Sequence, residues 1–483
     1  MTRHAQTQDV VIGSGAGGAV LAARLAEGGR GVVLLEEGPR VSRLDFTQRE
    51  GAMYSLLYRD AGGQSSSDGA ISVMQGRCLG GSTTINMGDV VPIEDAVLAH
   101  WRQHFGWGDW GGITHADVRA AAERAKRDIG ASRIAPDEVN RANGLLRDGA
   151  KALGLRGQRL EHNRTGCVGS GYCLIGCAYD AKKGTHLSHV PRAEAAGAQV
   201  WCDSRVDRVT SRARGVTVHG AGFAVDAERV FVCAGTIHTP GVLERSGLGG
   251  TQRGRNLSLQ PQGPVLAVFD HEVDLHRGIP QSFGVDGALE ISAERGLGGY
   301  TIEGVAGGPA MTASLVPLPM KELRPLLALY RQSAAALCLV PDRPSGRVTS
   351  KNGRPVIEYQ QTAEWTARLR SALKTGARCY LAAGATAVRI PAVHSREIRS
   401  EADVASIDEL PLRSCDLSMI SAHPQGTCRM GPNPESSVVD MDFRVHGSDN
   451  VFVCDASLFP TTSSTHTMVP VMTMAHLLAD SLI

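Results

Sequence analysis

Residues 9–38 constrain this chain more than any other stretch: Asp-Val-Val-Ile, then Gly13-Ser14-Gly15-Ala16-Gly17-Gly18, an alanine-rich run with Leu21 and Leu25 on one face, and Val32-Val33-Leu34-Leu35-Glu36. An apolar strand, a glycine turn, a helix and a second apolar strand make a βαβ unit. Gly13 permits the tight turn, Gly15 lets the backbone approach a pyrophosphate, and Gly18 lets helix and strand pack closely. Ala16 and Gly17 complete the loop, where the helix N-terminus offers unpaired amides to phosphates. Glu36 closes the second strand about 20 residues on, with Glu37 beside it, and its carboxylate can accept hydrogen bonds from an adenosine ribose. That acid argues against a 2′-phosphorylated cofactor. A glycine triplet alone carries little weight in a chain with 57 glycines, and a βαβ crossover that binds nothing is the competing reading. Strand, helix and acid together favour a dinucleotide.

A chain of 483 residues with 42% hydrophobic content can bury a sizeable core in two or three domains, or in one large fold with two lobes. Its 50 basic and 49 acidic residues nearly cancel, which gives no reason to expect nucleic acid or an anionic membrane as partner. A small substrate fits better. The first residues hold no apolar core of signal-peptide length, and no uncharged apolar stretch elsewhere is long enough to span a membrane, so a cytoplasmic location is expected. Eleven cysteines, an odd count, several in apolar strands such as that of Cys233, read as reduced packing thiols.

Beyond the βαβ unit the polar run 62–69 predicts a mobile loop. Trp101, Phe105, Trp107 and Trp110 can wall a pocket or form a local core under a loop. Thr114 predicts an N-cap ahead of Val118, Ala121, Ala122 and Ala125 at helical spacing. Asn352-Gly353 between β-rich runs predicts a hairpin over 347–359, and 362–383 reads as a helix. Runs 229–235 and 450–456 each hold a short apolar strand ending in a small-residue turn, as expected of parallel strands buried on both faces. The expected fold class is therefore α/β with an α+β second lobe. Residues 1–95, 160–260 and 411–483 would form a discontinuous Rossmann-like nucleotide-binding domain with a parallel sheet. Residues 96–159 and 261–410 would form an inserted domain on an antiparallel sheet flanked by helices.

Two C-terminal histidines carry the chemistry: His423 in Ser-Ala-His-Pro-Gln-Gly-Thr-Cys-Arg-Met-Gly, and His466 eleven residues after Asp455. Two imidazoles can hold one substrate hydroxyl, one accepting its proton and the other fixing its oxygen, while a cofactor removes a hydride. Which ring takes the proton is open. With the N-terminal fingerprint and Gly76-Arg-Cys-Leu-Gly-Gly-Ser-Thr-Thr-Ile-Asn-Met-Gly88, these histidines resemble the glucose-methanol-choline (GMC) oxidoreductases, FAD enzymes that oxidise alcohols. In motif style the chain is similar to long-chain alcohol oxidases and dehydrogenases of that family. Ala234-Gly235 with Pro240, Ser246-Gly-Leu-Gly249, Gly254-Arg-Asn-Leu257 and the run 344–348 extend the likeness over nearly the whole chain.

The resemblance implies roles. Gly81, Ser82, Asn86, Met87 and Gly88 would run along the flavin, Val206 would meet the adenine through its main chain, and Glu36 would hold the ribose, with Glu37, Ala234 and Thr467 also in the cofactor's binding positions. Asp455-Ala456 resembles the turn beside the pyrophosphate and ribityl chain. His423 resembles the general base, and His466 occupies a second catalytic position that is histidine in some relatives and asparagine in others. Some relatives attach FAD through a histidine where this chain has Ile85, so the resemblance implies non-covalent FAD. His219, His238 and His446 are expected to be surface or satisfied-core residues. Cys167, Cys173 and Cys177 offer three soft ligands for zinc or an iron–sulfur cluster, but Ser170 breaks a ferredoxin-like spacing, and no metal is expected. The competing functions are a lyase that keeps FAD as structure, as hydroxynitrile lyases do, and an electron-transferring subunit with a cysteine-ligated cluster. The electron acceptor (oxygen, quinone or protein) is open. Few aromatics in the second lobe point to an apolar or bulky alcohol rather than a sugar.

Overall fold

The structure, a computed structural model, describes residues 3–107, 113–287, 298–314, 316, 318, 320–463 and 466–483. Its first layer is a five-stranded parallel sheet in the order Val451–Val453, Arg229–Val232, Asp9–Ile12, Val32–Leu35, Gln199–Trp201. Asp9–Ile12, Val32–Leu35 and Val451–Val453 are buried at every position, which is why they read as continuous apolar runs without alternation. Helix Ala16–Glu27 packs against helices His189–Ala195 and Met468–Asp480, and the latter also packs on His115–Asp128. Met468–Asp480 is apolar on all sides and buried at every position from Met468 to Ala479, as such a sequence requires.

The second layer is an eight-stranded, mainly antiparallel sheet. Its order is Ile71–Val73, Met419–Ser421, Gln262–Val268, Ser333–Leu339, Tyr300–Val305, Phe283–Gly287, Gly157–Arg159, with Ala387–Arg389 also pairing on Gln262–Val268. Helices Arg141–Ala152 and Ala363–Ala382 back it, enclosing a second core that includes Leu146, Val265, Ile302, Trp365 and Leu373. Ile71–Val73 and Met419–Ser421 come from segments expected in the nucleotide-binding part, yet they pair in parallel with each other and join this sheet through the antiparallel contact of Ile420 with Gln262. Three-residue strands carry no periodicity that could announce their partner.

Several local expectations have their physical counterpart. Thr114 Oγ1 accepts from Asp117 N while Asp117 returns a carboxylate to Thr114 N, a complete capping box. Thr362 Oγ1 caps Ala363–Ala382 by accepting from Trp365 N, without the return bond of a box. Strands Gly346–Lys351 and Arg354–Glu358 turn at Asn352 (φ 52°) and Gly353 (φ 73°), the pair of positive φ values of a type I′ turn. The loop 62–69, expected to be mobile, is tied to its neighbours by backbone bonds. Gln64 and Ser66 are buried, Ser67 N donates to Ile357 O at 2.7 Å, and Val73 N donates to Gln64 O at 2.8 Å. These are backbone bonds; the Ser66 hydroxyl donates to Asp68 Oδ1 at 2.6 Å, while Ser65, Ser67 and Asp68 face solvent. Trp101 is fully buried, stacks on Phe459 at 5.4 Å and meets Trp107 at 4.6 Å, so this cluster is a local core; Trp110 lies outside the described residues.

Candidate active site

The fingerprint glycines divide into two kinds. A Cβ on Gly13 would stand 2.4 Å from Cys233 O, one on Gly17 1.9 Å from Cys454 O, and one on Gly18 1.9 Å from Gly13 O. These glycines let three strand ends and a helix close up. A Cβ on Gly15 would meet nothing within 4 Å, and Gly15 stands at the N-terminal end of helix Ala16–Glu27. It therefore opens the helix amides to an anion.

Ser14 ties this loop to its neighbours. Its N and Oγ donate to Glu36 Oε2 at 3.1 and 2.5 Å, and its Oγ accepts from Gly80 N at 2.8 Å. Gly38 N donates to Glu36 Oε1 at 2.8 Å. Burial pushes the Glu36 carboxyl up against the pull of these bonds. Glu37 is placed differently, in a bidentate pair with Arg59 at 2.6 and 2.6 Å; burial alone would raise its pKa, and the guanidinium brings it below the usual carboxylate value. Asp455 joins two turns, accepting from Gly235 N at 2.9 Å, Thr239 Oγ1 at 2.5 Å and Ser457 N at 2.8 Å.

A cavity of about 930 Å³ runs from this loop to the two histidines. Its wall contains Gly13, Gly15, Ala16, Gly17, Glu36, Glu37, Gly81, Ser82, Asn86, Met87, Val206, Ala234, Asp455, Ala456, Thr467, His423 and His466. Two expected cofactor positions lie outside it. Gly18 sits beneath the loop against Gly13 O, where its lack of a side chain serves packing. Gly88 has φ 101° and its missing Cβ faces Asn163 Oδ1 at 2.7 Å, so it shapes the turn rather than the cavity.

His423 follows strand Met419–Ser421 of the second sheet, and His466 precedes the helix Met468–Asp480 of the first layer. Their ring centroids are 4.8 Å apart at 78°. His423 Nδ1 lies 2.6 Å from Gln260 Oε1 and 3.3 Å from Gln262 Nε2. The shorter contact places the proton on Nδ1, donating to the Gln260 carbonyl, and leaves Nε2 with its lone pair. Burial, then the positive field of His466, lowers its pKa well below the usual value. His466 behaves oppositely. Burial would lower its pKa too, but the carboxylates of Glu303 and Asp89 outweigh that and raise it to about 9. His466 Nε2 lies 3.2 and 3.1 Å from the two Glu303 oxygens, and Gln281 Nε2 donates to Glu303 Oε2 at 2.7 Å. One neutral ring and one imidazolium therefore face each other in a water-poor setting.

Sequence reasoning missed the residues that set these states. Glu303 is the charged residue in the fully buried strand Tyr300–Val305, and that mismatch was the available signal. Gln260 gave none. Its backbone is held at φ 46° with Asp342 accepting from Leu259 N and Gln260 N at 2.9 and 3.0 Å. His238 corrects another expectation: it lines the cavity, its Nε2 has no hydrogen-bond partner among the described residues, and burial lowers its pKa to about 3. His219 and His446 are bonded to Thr210 and Ser437 at 2.8 Å each. Cys167, Cys173 and Cys177 line a separate small cavity with Lys182, whose Nζ donates to Thr84 O at 2.9 Å and Cys173 O at 2.7 Å. Burial raises the Cys173 thiol to about 11. The groups of three His, Cys, Asp or Glu side chains close enough to share a cation, among the described residues, include no cysteine.

Comparison with known proteins places this geometry. The GMC oxidoreductase family model matches residues 54–262 in its N-terminal part and 342–475 in its C-terminal part. An uncharacterised GMC-type oxidoreductase of Mycobacterium tuberculosis is 35% identical over 98% of this chain and 75% of that protein. The long-chain-alcohol oxidase FAO4B of Arabidopsis thaliana is 26% identical over 98% of this chain and 67% of its own. Among solved structures, pyridoxine 4-oxidase from Mesorbium loti superposes with a TM-score of 0.72 at 20% identity, covering 98% of this chain and 99% of that one. A formate oxidase of Aspergillus oryzae gives 0.72 at 17% identity, covering 99% and 98%.

Proposed function

The chain belongs to the GMC oxidoreductase family and is an FAD-dependent oxidoreductase, and on that premise we propose that it oxidises apolar alcohols to aldehydes or ketones. The residues present suit FAD. Gly15 leaves space at a helix N-terminus, and Asn86 Oδ1 and His238 Nε2 are buried on the cavity wall without a hydrogen-bond partner among the described residues. Bound there, FAD supplies a two-electron acceptor for the hydride of the carbinol carbon.

The observation that carries the proposal is the meeting of the two rings 4.8 Å apart, with Gln260 behind His423 and Glu303 behind His466, a setting that lowers the pKa of the first and raises that of the second. His423 Nε2 accepts the hydroxyl proton, its tautomer held by Gln260. His466, kept protonated by Glu303, donates to the substrate oxygen and stabilises the negative charge that grows there as the proton leaves. Burial removes competing water and strengthens both interactions. The cavity wall also carries Met87, Leu174, Leu337 and Ile420, which belong to one apolar cluster and offer a hydrocarbon tail a place beside the polar Gln262 and Gln281. The likeness to a long-chain-alcohol oxidase supports the same substrate class.

Anaerobic bleaching of the flavin against aliphatic, aromatic, sterol and sugar alcohols tests both class and substrate. Aliphatic or sterol alcohols are expected to bleach it fastest; no bleaching by any alcohol would remove the proposal. We assign the FAD as non-covalent, because the buried Ile85 has no nucleophilic atom at the position where some relatives attach it. Acid or detergent should release the yellow colour from the chain, and colour retained on the polypeptide would refute this assignment.

A further inference from the structure

We propose that Asp128, His189 and His476, remote from the flavin cavity, form a site for one divalent cation of the Zn²⁺ type. Asp128 ends helix His115–Asp128, His189 opens helix His189–Ala195, and His476 lies in the last turns of Met468–Asp480. One ligand atom from each lies within 4.8 Å of the others.

Distances favour a shared ion over hydrogen bonds. His189 Nε2 is 3.3 Å and His476 Nε2 3.4 Å from the same oxygen, Asp128 Oδ2. A good N–H···O bond measures about 2.9 Å. Two ligands each about 2.05 Å from a tetrahedral ion stand about 3.4 Å apart.

Proton placement points the same way. The Ser188 hydroxyl donates to Gly184 O at 3.1 Å, so its oxygen is left to accept from His189 Nδ1 at 3.0 Å. Neutral His189 then turns the lone pair of Nε2 towards a carboxylate, an arrangement that a cation between them relieves. His476 is 1% exposed, and neither ring nitrogen makes a hydrogen bond among the described residues. A buried imidazole without partners is costly, and a metal bond would satisfy Nε2. Asp128 Oδ2 also meets Arg192 Nη1 at 2.9 Å, and Glu27 balances that guanidinium through bonds of 2.8 and 3.0 Å. Arg192 thus occupies one lone pair of the ligating oxygen and fixes the carboxylate, and the ion would take the other. Asp128 is 24% exposed, which leaves a route for the ion and room for a water as fourth ligand. Two imidazoles and one carboxylate select a zinc-like ion over magnesium or calcium.

The test uses the full-length FAD-loaded protein, stripped with a chelator and then dialysed against Zn²⁺ or Co²⁺. Expected are about one ion per chain by mass spectrometry, visible bands of four- or five-coordinate Co²⁺, and a melting midpoint several degrees above that of the stripped protein. Asp128→Ala should weaken binding at least tenfold while flavin content stays at the wild-type level. The Co²⁺ spectrum of the unmutated protein reads the site even if a His476→Gln variant does not fold. Wild-type protein that retains no ion after dialysis, or binds Co²⁺ no more tightly than Asp128→Ala, would show that the three residues are only a buried polar contact between helices.

Discussion

At the scale of single residues, the site depends on carboxylate placement behind His466. Glu303 raises that pKa to about 9, so the imidazolium persists through neutral pH and is lost as pH rises through about 9. Anaerobic flavin reduction should therefore slow above that pH, and Glu303→Gln should move the limb at least one unit towards neutral; an unmoved limb would separate Glu303 from the chemistry. The same shift has a sign for stability. A histidine whose folded pKa exceeds its unfolded value contributes fully below about 6.5, and the contribution fades as pH climbs through the folded value near 9. In the proposed reaction His423 is the neutral acceptor, and His423→Ala should slow flavin bleaching on the order of a hundredfold or more. Both histidines were legible from their motifs. Their protonation was not, because Glu303, Asp89 and Gln260 are far from them in sequence and reach them only through the fold.

At the scale of elements, the roles of Gly13, Gly15 and Gly18 were legible from the motif, whereas the close approach of Cys454 O to Gly17 comes from a strand far along the chain. Gly18→Ala should cost about 3 kcal/mol or more, because its Cβ would stand 1.9 Å from Gly13 O with no side chain able to yield. Gly15→Ala meets no protein atom within 4 Å. That variant should fold with an unchanged melting midpoint as apoprotein and bind FAD at least tenfold more weakly, a contrast that denaturation and flavin titration can read side by side. The helix cap at Thr114, the helix over 362–383 and the turn at Asn352-Gly353 were visible too, as they are set by neighbouring residues. The loop 62–69 shows the limit of such local signals: its polar composition says turn, and the backbone bond from Ser67 N to Ile357 O of a distant strand is decided by the fold.

Across the whole molecule, the cavity lies between the parallel sheet and the larger antiparallel sheet, so a ligand there bridges both layers. Added FAD should stabilise the fold by about 2.7 kcal/mol at a hundred times its Kd and raise the melting midpoint, and a midpoint indifferent to FAD would show that the folded chain does not bind it. No helix among the described residues is long and apolar enough to cross a membrane. By itself the sequence determined the βαβ unit, the parallel strands at 9–12, 32–35, 229–232 and 451–453, and the pair of histidines, because strand burial, turn sterics and motif spacing act over short range. Only tertiary structure decided that Ile71–Val73 and Met419–Ser421 belong to the second sheet, that His238 opens on the cavity, and that one histidine is charged while its neighbour is neutral. Sheet partners and electrostatic fields depend on what lies across space, and a linear string of residues does not carry that distance.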